Sequence, residues 1–410
     1  MRSPRMSRQA AFWTVAAVFF LLLFCSAAPT PLYGVYQANF HFSTATATAV
    51  FAVYALTLLV TLLVLGRLSD HVGRRPVIIA GLAINALACV VWLLAAGVGA
   101  LYLARALQGV SVGLATGAIG AALLELQQPG TSRAGVLTSA SPSLGLGLGA
   151  IAVSALAQYG PAPTHLVWWL LLAAFVVGML ALAVVPEPGV LRPGWLRSLR
   201  PAVRVPPDTR ATFVTVLPSV VGGWALSALY LSLGPKLAAN LVGSTNLLWG
   251  GLAAFLLAGL GSCGAVAAAR ITPRAGVVSG SGALVVGAAL TFGAIAGSVS
   301  GLFLLGTAVA GVGFGGVWSG AYRMLTAVVA PDDRAGLVAA IFVVAYLSFS
   351  LPALIAGLAD QHFGIRDTAL VYDAVVAVLV AAAAVLTALR RPPRPEPVAR
   401  TASDQAASAA

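Results

Sequence analysis

Residues 46–65 and 77–96 are two uncharged, mainly apolar runs separated by one short polar island, Gly66-Arg67-Leu68-Ser69-Asp70-His71-Val72-Gly73-Arg74-Arg75-Pro76. At 1.5 Å per residue, a helix of ~20 residues crosses a hydrocarbon core of ~30 Å. The island therefore reads as a tight loop joining two membrane-spanning helices. Gly66 and Gly73 permit turns and close helix approach. Pro76 suits a helix start. Arg67, Arg74 and Arg75 place the loop on the cytoplasmic side, because short cytoplasmic loops collect basic residues.

The rest of the chain repeats this pattern. It is 60% hydrophobic and only 8% charged. A soluble domain could not keep that much apolar surface from water. Net charge is +12, but the basic residues are scattered through loops, which favours anionic lipid headgroups over nucleic acid as their partner. Cys25, Cys89 and Cys263 all lie inside apolar runs and read as small buried hydrophobes rather than a disulfide or metal set. Arg2, Arg5 and Arg8 before the first apolar run imitate a signal peptide. That run is ~18 residues, longer than the usual signal core, and many more follow, so it reads as the first span. The sequence carries no phosphate-binding glycine loop with lysine, no nucleophile–base arrangement and no cluster of metal ligands. The expectation is a protein that is not an enzyme, holds no cofactor and is not driven by ATP.

Twelve spans are predicted, at 11–31, 46–65, 77–96, 100–124, 135–157, 165–185, 211–232, 246–268, 276–296, 300–325, 335–358 and 369–389. Charge supports this number. All lysines and arginines except Arg105, Lys236 and Arg366 fall in segments this topology makes cytoplasmic. Both termini are then cytoplasmic, in a plasma (inner) membrane. The predicted organisation is an N-tail (1–10), a six-helix bundle (11–185), a proline- and arginine-rich central loop (186–210), a second six-helix bundle (211–390) and a disordered C-tail (391–410). The two bundles also share sequence. Gly109-Val110-Ser111-Val112-Gly113 in span four matches Gly311-Val312-Gly313-Phe314-Gly315 in span ten. Pro129 and Arg133-Ala134-Gly135 match Pro331 and Arg334-Ala335-Gly336 at nearly the same offset. Together they support a duplicated unit.

The island resembles the signature between helices two and three of the major facilitator superfamily. Gly66, Leu68, Asp70, Gly73, Arg74 and Arg75 fit it, while Ser69 and His71 depart mildly. The resemblance implies an all-α integral membrane fold of twelve helices in two pseudo-symmetric six-helix bundles. It also implies alternating access at a midplane cavity. Arg105 with Gln108 and Gly109 resembles a second signature of the family, in span four. An arginine inside a span must face water, a partner or a substrate; the bland alternative is snorkelling to the nearby headgroups. In span five, Pro142 and the run Gly145-Leu146-Gly147-Leu148-Gly149 resemble the glycine-rich signature of the drug–proton antiporters. Ala150 stands where that signature has proline. Gly109, Gly113, Gly145 and Gly149 serve close helix packing in this reading, and Pro142 a bend.

Spans one, four, seven and ten line the cavity in the family. The expected substrate path is therefore Arg105, Gln108, Trp224, Tyr230, Trp318 and Tyr322. Trp13, Trp92, Tyr102, Trp168 and Trp169 are assigned to the interfacial aromatic belts. No aspartate or glutamate is placed mid-membrane; Asp70, Glu125 and Asp373 are the peripheral carboxylates nearest to a span. The resemblance also implies a conformational latch. Asp70 would sit at the start of span eleven, near Asp332-Asp333-Arg334, while Arg74 or Arg75 pairs with Glu125, with Gly66 and Gly73 shaping the loop. A helix N-terminus attracts an anion.

The resulting reading is a secondary transporter, a monomer, exporting lipophilic or amphiphilic small molecules and powered by a proton gradient. Uptake of a small polar metabolite is the alternative within the same class. A non-transporting membrane sensor or a lipid-handling protein on the same scaffold is the alternative outside it.

Overall fold

A computed structural model describes residues 6–131, 133–189, 193–199, 201, 203–330 and 333–389. The C-tail, the first five residues and Asp332, on all of which expectations were placed, lie outside the described residues. Among the described residues the chain is helical throughout. Spans one to six run over Arg8–Ala27, Thr44–Leu65, Arg74–Leu93, Val98–Leu126, Arg133–Tyr159 and Leu166–Ala183. Spans seven to ten are Pro207–Ser232, Leu248–Ala269, Pro273–Gly297 and Ser300–Thr326. Arg334–Leu389 holds the last two, separated at Gly364 (φ 77°, ψ 165°), a backbone conformation outside the helical range.

Local chemistry sets these boundaries. The Ser7, Ser43 and Thr272 hydroxyls cap spans one, two and nine by accepting from the backbone N–H of Ala10, Thr46 and Ala275. Span seven opens on Pro207 and span nine on Pro273, where the missing N–H costs nothing. Several predicted ends shift outward. Span one begins at Arg8 and is followed by a second helix, Pro29–Phe40. The helix Gly234–Val242 follows span seven. Helix continues through Asp360, beyond the expected end of span eleven at 358, up to Gly364, whose backbone leaves the helical range.

Buried side chains form two hydrophobic clusters, one drawn mainly from spans one to six and one from spans seven to twelve. The repeated glycines do matching work in each. A Cβ on Gly109 or Gly113 would meet the backbone of span two at Tyr54 and Leu58. One on Gly311 or Gly315 would meet the backbone of span eight at Leu257 and Gly261. Span four thus lies on span two as span ten lies on span eight, six spans apart, as a duplicated bundle requires.

Spans five and eight and spans two and eleven form the seam between halves. Gly147 faces Gly259, Gly251 faces Ser154, and Gly357 faces Thr48. Hydrogen bonds fasten the seam at the end opposite the arginine-rich island. Lys236 Nζ donates to Thr44 Oγ1 (3.4 Å), Asn246 Nδ2 to Tyr159 Oη (3.1 Å), and the Leu247 N–H to Gln158 Oε1 (2.9 Å). Lys236 also pairs at 2.5 Å with Asp360 Oδ2, whose side chain is buried.

Two assignments change. Trp92 and Trp168 are fully buried and stack on each other at 4.7 Å, with Trp168 Nε1 donating to Tyr36 Oη, so they are core residues and not belt residues. Trp13 and Trp169 are exposed. Cys25 and Cys89 are buried, but Cys263 faces outward.

Candidate functional site

Pro29 has no N–H to offer the carbonyl of Cys25, four residues earlier. That carbonyl takes the Ala28 N–H (3.1 Å) and Gln108 Nε2 (3.4 Å) instead. Arg105, one turn before Gln108 on span four, donates from Nη1 to the Ser26 carbonyl (3.0 Å) and to Gln108 Oε1 (3.2 Å). Its guanidinium carbon lies 4.5 Å from the Tyr54 ring centroid and 5.8 Å from that of Phe51. Arg105 is only 1% exposed, so it does not snorkel to the headgroups, and its Nε has no hydrogen-bond partner.

Phe51 carries this site to the other half, meeting Phe349 of span eleven at 4.9 Å. Trp224 of span seven packs 5.7 Å from Phe349, 5.2 Å from Trp318 and 5.4 Å from Tyr346. It touches both hydrophobic clusters, and its buried indole N–H is without an acceptor. Trp318 continues to Tyr322, four residues on, at 6.2 Å. The expected path residues Arg105, Gln108, Trp224, Trp318 and Tyr322 thus line one band from span four to span ten.

Tyr230 does not belong to that band. It is buried inside the second half, stacked on Phe303 at 5.7 Å, with Asp373, Thr291 and Thr307 beside it. The expectation that no carboxylate sits deep in a span is also corrected. Span twelve starts just after Gly364, which puts Asp373 ~12 Å along the helix. Asp373 is 1% exposed, accepts from Thr291 Oγ1 at 2.7 Å, and leaves Oδ1 unpartnered.

At the arginine-rich end, Arg74 gathers the island. Its Nη1 pairs with Asp70 Oδ1 and donates to Ser69 Oγ (2.8 Å), while Nη2 meets Glu125 Oε1 at 3.2 Å. Asp70 is thus turned toward its own half rather than held at the start of span eleven. Asp333 there meets Arg204 at 3.3 Å. Gly73 (φ 112°) makes the turn but has no side chain to cap span three. Glu187, which follows span six, supplies the cap by accepting the N–H of Arg74 (2.6 Å) and Arg75 (3.0 Å). Sequence reasoning missed Glu187; the only signal was a helix starting after a glycine with no local cap. Arg75 Nη1 reaches the Val185 carbonyl at 3.3 Å, and not Glu125. In span five, a Cβ on Gly145 would crowd Phe20 and Leu23, and one on Gly149 would strike Phe24. Pro142 lies inside the same helix.

Residues 15–298 match the family description Major Facilitator Superfamily. The chain belongs to the major facilitator superfamily. A protein described as an uncharacterized transporter from Rickettsia bellii (strain RML369-C) is 40% identical over 95 residues, which is 23% of each chain. The match thus spans under a quarter of that relative's length. Among solved structures, the bacterial homologue of the human lysosomal transporter Spinster, inward-facing and unoccupied, superposes with a TM-score of 0.74. It is 15% identical, over 95% of this chain and 99% of that one. The human organic anion transporter MFSD10 gives a TM-score of 0.66 at 18% identity, over 93% of this chain and all of that one. At these identities the likeness is one of fold. The chain is a multi-pass membrane protein of a transporter family.

Proposed function

We propose that this chain is a secondary transporter that exports lipophilic or amphiphilic small molecules by alternating access. The observation that carries the reading is the aromatic band across the seam, with Trp224 packed on both halves. Flat aromatic faces bind apolar bodies with little demand for shape, at ~0.5–1.5 kcal/mol per ring pair beyond area burial. A polar metabolite would need convergent donors and acceptors, and those of the band, from Arg105, Gln108, the Trp224 N–H and the Tyr322 and Tyr346 hydroxyls, are spread over four spans.

With the arginine-rich end cytoplasmic in the plasma membrane, the fastening through Lys236, Asn246 and Leu247 closes the outer face. Asp70, engaged with Arg74, is then free of span eleven, which fits the inward-facing half of the cycle. The energy source in this reading is the proton gradient. Asp373 is the buried carboxylate that no cation neutralises, so taking up or losing a proton there breaks no ion pair.

Expression in cells stripped of their own exporters tests the reading. It should lower accumulation of a lipophilic dye, and Trp224→Ala with Trp318→Ala should restore accumulation. Unchanged dye levels together with raised uptake of a sugar or amino acid would sink it in favour of uptake.

A further inference from the structure

Among the described residues Arg105 is a buried charge without a counter-charge. The first 186 residues contain only two acidic residues, Asp70 and Glu125, and both meet Arg74 at the arginine-rich end. Arg105 lies toward the other end, ~10 Å along span four from its start at Val98. Across the seam, Asp360 is held by Lys236 and Asp373 by Thr291. What Arg105 has are neutral neighbours: the Ser26 carbonyl, Gln108, Tyr33, and the faces of Tyr54 and Phe51. An arginine inside a membrane protein is costly unless something repays it, and such residues mark substrate and ion pathways. Carbonyls and ring faces satisfy donors, but they leave the net charge in place. The unpartnered Nε–H keeps one donor of the planar fork available, and that fork matches a carboxylate or sulfonate. Phe51 links the guanidinium directly to Phe349 and, through it, to Trp224.

We propose that Arg105 receives the acidic group of the transported molecule, so that the cargo is an amphiphilic organic anion whose apolar body lies on the aromatic band. This rests on the transport reading above and narrows its substrate class. The aromatic wall then serves two ends. It takes the body of the cargo, and between cycles Tyr54 and Phe51 hold the guanidinium by cation–π contact while the anion is absent. Gln108 orients the guanidinium through Nη1 and leaves the Nε edge for the ligand.

The test is equilibrium dialysis of the purified full-length protein in phospholipid-free maltoside micelles. Three probes share one ring system: 2-naphthoate, neutral 2-naphthamide and cationic 2-naphthylmethylammonium. The wild type should bind the naphthoate at least about tenfold tighter than the amide, the worth of one charge-assisted contact. Arg105→Gln should bring that ratio close to one, and Arg105→Lys should retain part of it. Trp224→Ala should weaken all three probes while leaving the ratio in place. Equal binding of naphthoate and amide by the wild type overturns the proposal alone. So does a preference for the cation, or a ratio that Arg105→Gln leaves intact. If no probe binds the wild type, the amphiphile reading falls and this proposal falls with it. Adding phosphatidylglycerol separates a lipid source from a free acid. Displacement of naphthoate by that lipid, with none by naphthalene sulfonate, would give the site to a headgroup and overturn the proposal. Should Arg105→Gln not survive purification, the wild-type ratio and Arg105→Lys still decide.

Discussion

Replacing Lys236 by methionine keeps the length of the side chain and removes its charge. Two contacts go with it. One is the 2.5 Å pair with Asp360, whose side chain is 1% exposed against 48% for Lys236. The other is the 3.4 Å hydrogen bond to Thr44, which crosses the seam. Breaking a buried pair by removing one partner costs ~3–5 kcal/mol. Lys236 is half in solvent, so screening and rehydration reduce the expected loss to about 1–3 kcal/mol. Asp360 Oδ1 has no partner already, so the stranded carboxylate has little local relief. The seam contact is long and exposed, worth ~0.5–1 kcal/mol, or a two- to fivefold shift in the balance between states. Thermal unfolding of the purified protein should therefore fall in Lys236→Met and recover most of the loss in Lys236→Met/Asp360→Asn, where no charge is left buried. Spin labels at His41→Cys and Ser244→Cys, at the fastened end, should show a larger long-distance population in Lys236→Met. A double variant no more stable than the single one, with distances unchanged in both, would refute this account of the fastening.

Gly113→Ala should destabilise by ~1–3 kcal/mol, since its Cβ would lie 2.6 Å from the Leu58 carbonyl oxygen, whereas Gly120→Ala, with open space around it, should be neutral or stabilising in the same unfolding assay. Asp70→Asn should move the population toward the arginine-rich end being open by about tenfold and slow turnover, because the carboxylate is no longer there to meet the start of span eleven in the opposite state; distances between the arginine-rich ends of spans two and eleven report it, and an unchanged distribution with normal turnover leaves Asp70 as a partner of Arg74 only. Asp373→Asn should leave ligand binding in place but make flux indifferent to an imposed pH gradient, with Tyr230 and Tyr372 the titratable neighbours to be checked by Tyr→Phe exchange; gradient-driven flux at the wild-type rate in Asp373→Asn would remove it from coupling.

The spans were legible because a membrane demands one feature, ~20 residues without charge, and charge asymmetry then counts them. Close packing of span four was legible in Gly109 and Gly113, since close backbone approach leaves a trace in composition, but its partner, span two, was not. Arg105 and Gln108 stood out because polar groups are rare inside a span. Direction around a helix was not legible. Spans that are apolar on every side carry no periodicity to separate lipid-facing from buried positions. Trp92 and Trp168 were therefore misassigned by depth alone, and Tyr230 was placed on the path when it faces Asp373. Asp373 looked peripheral because the polar residues between Asp360 and Thr368 read as a loop, whereas span twelve already starts after Gly364. Glu187 escaped because its partners are more than a hundred residues away.

The most direct test is flux. The purified protein in liposomes, with a pH gradient imposed across the membrane, should concentrate an amphiphilic dye against its gradient. That flux should stop when the pH gradient is collapsed, and it should be lost in Trp224→Ala/Trp318→Ala. Dye movement no faster than in protein-free liposomes, from protein shown to be folded and inserted, would contradict the account.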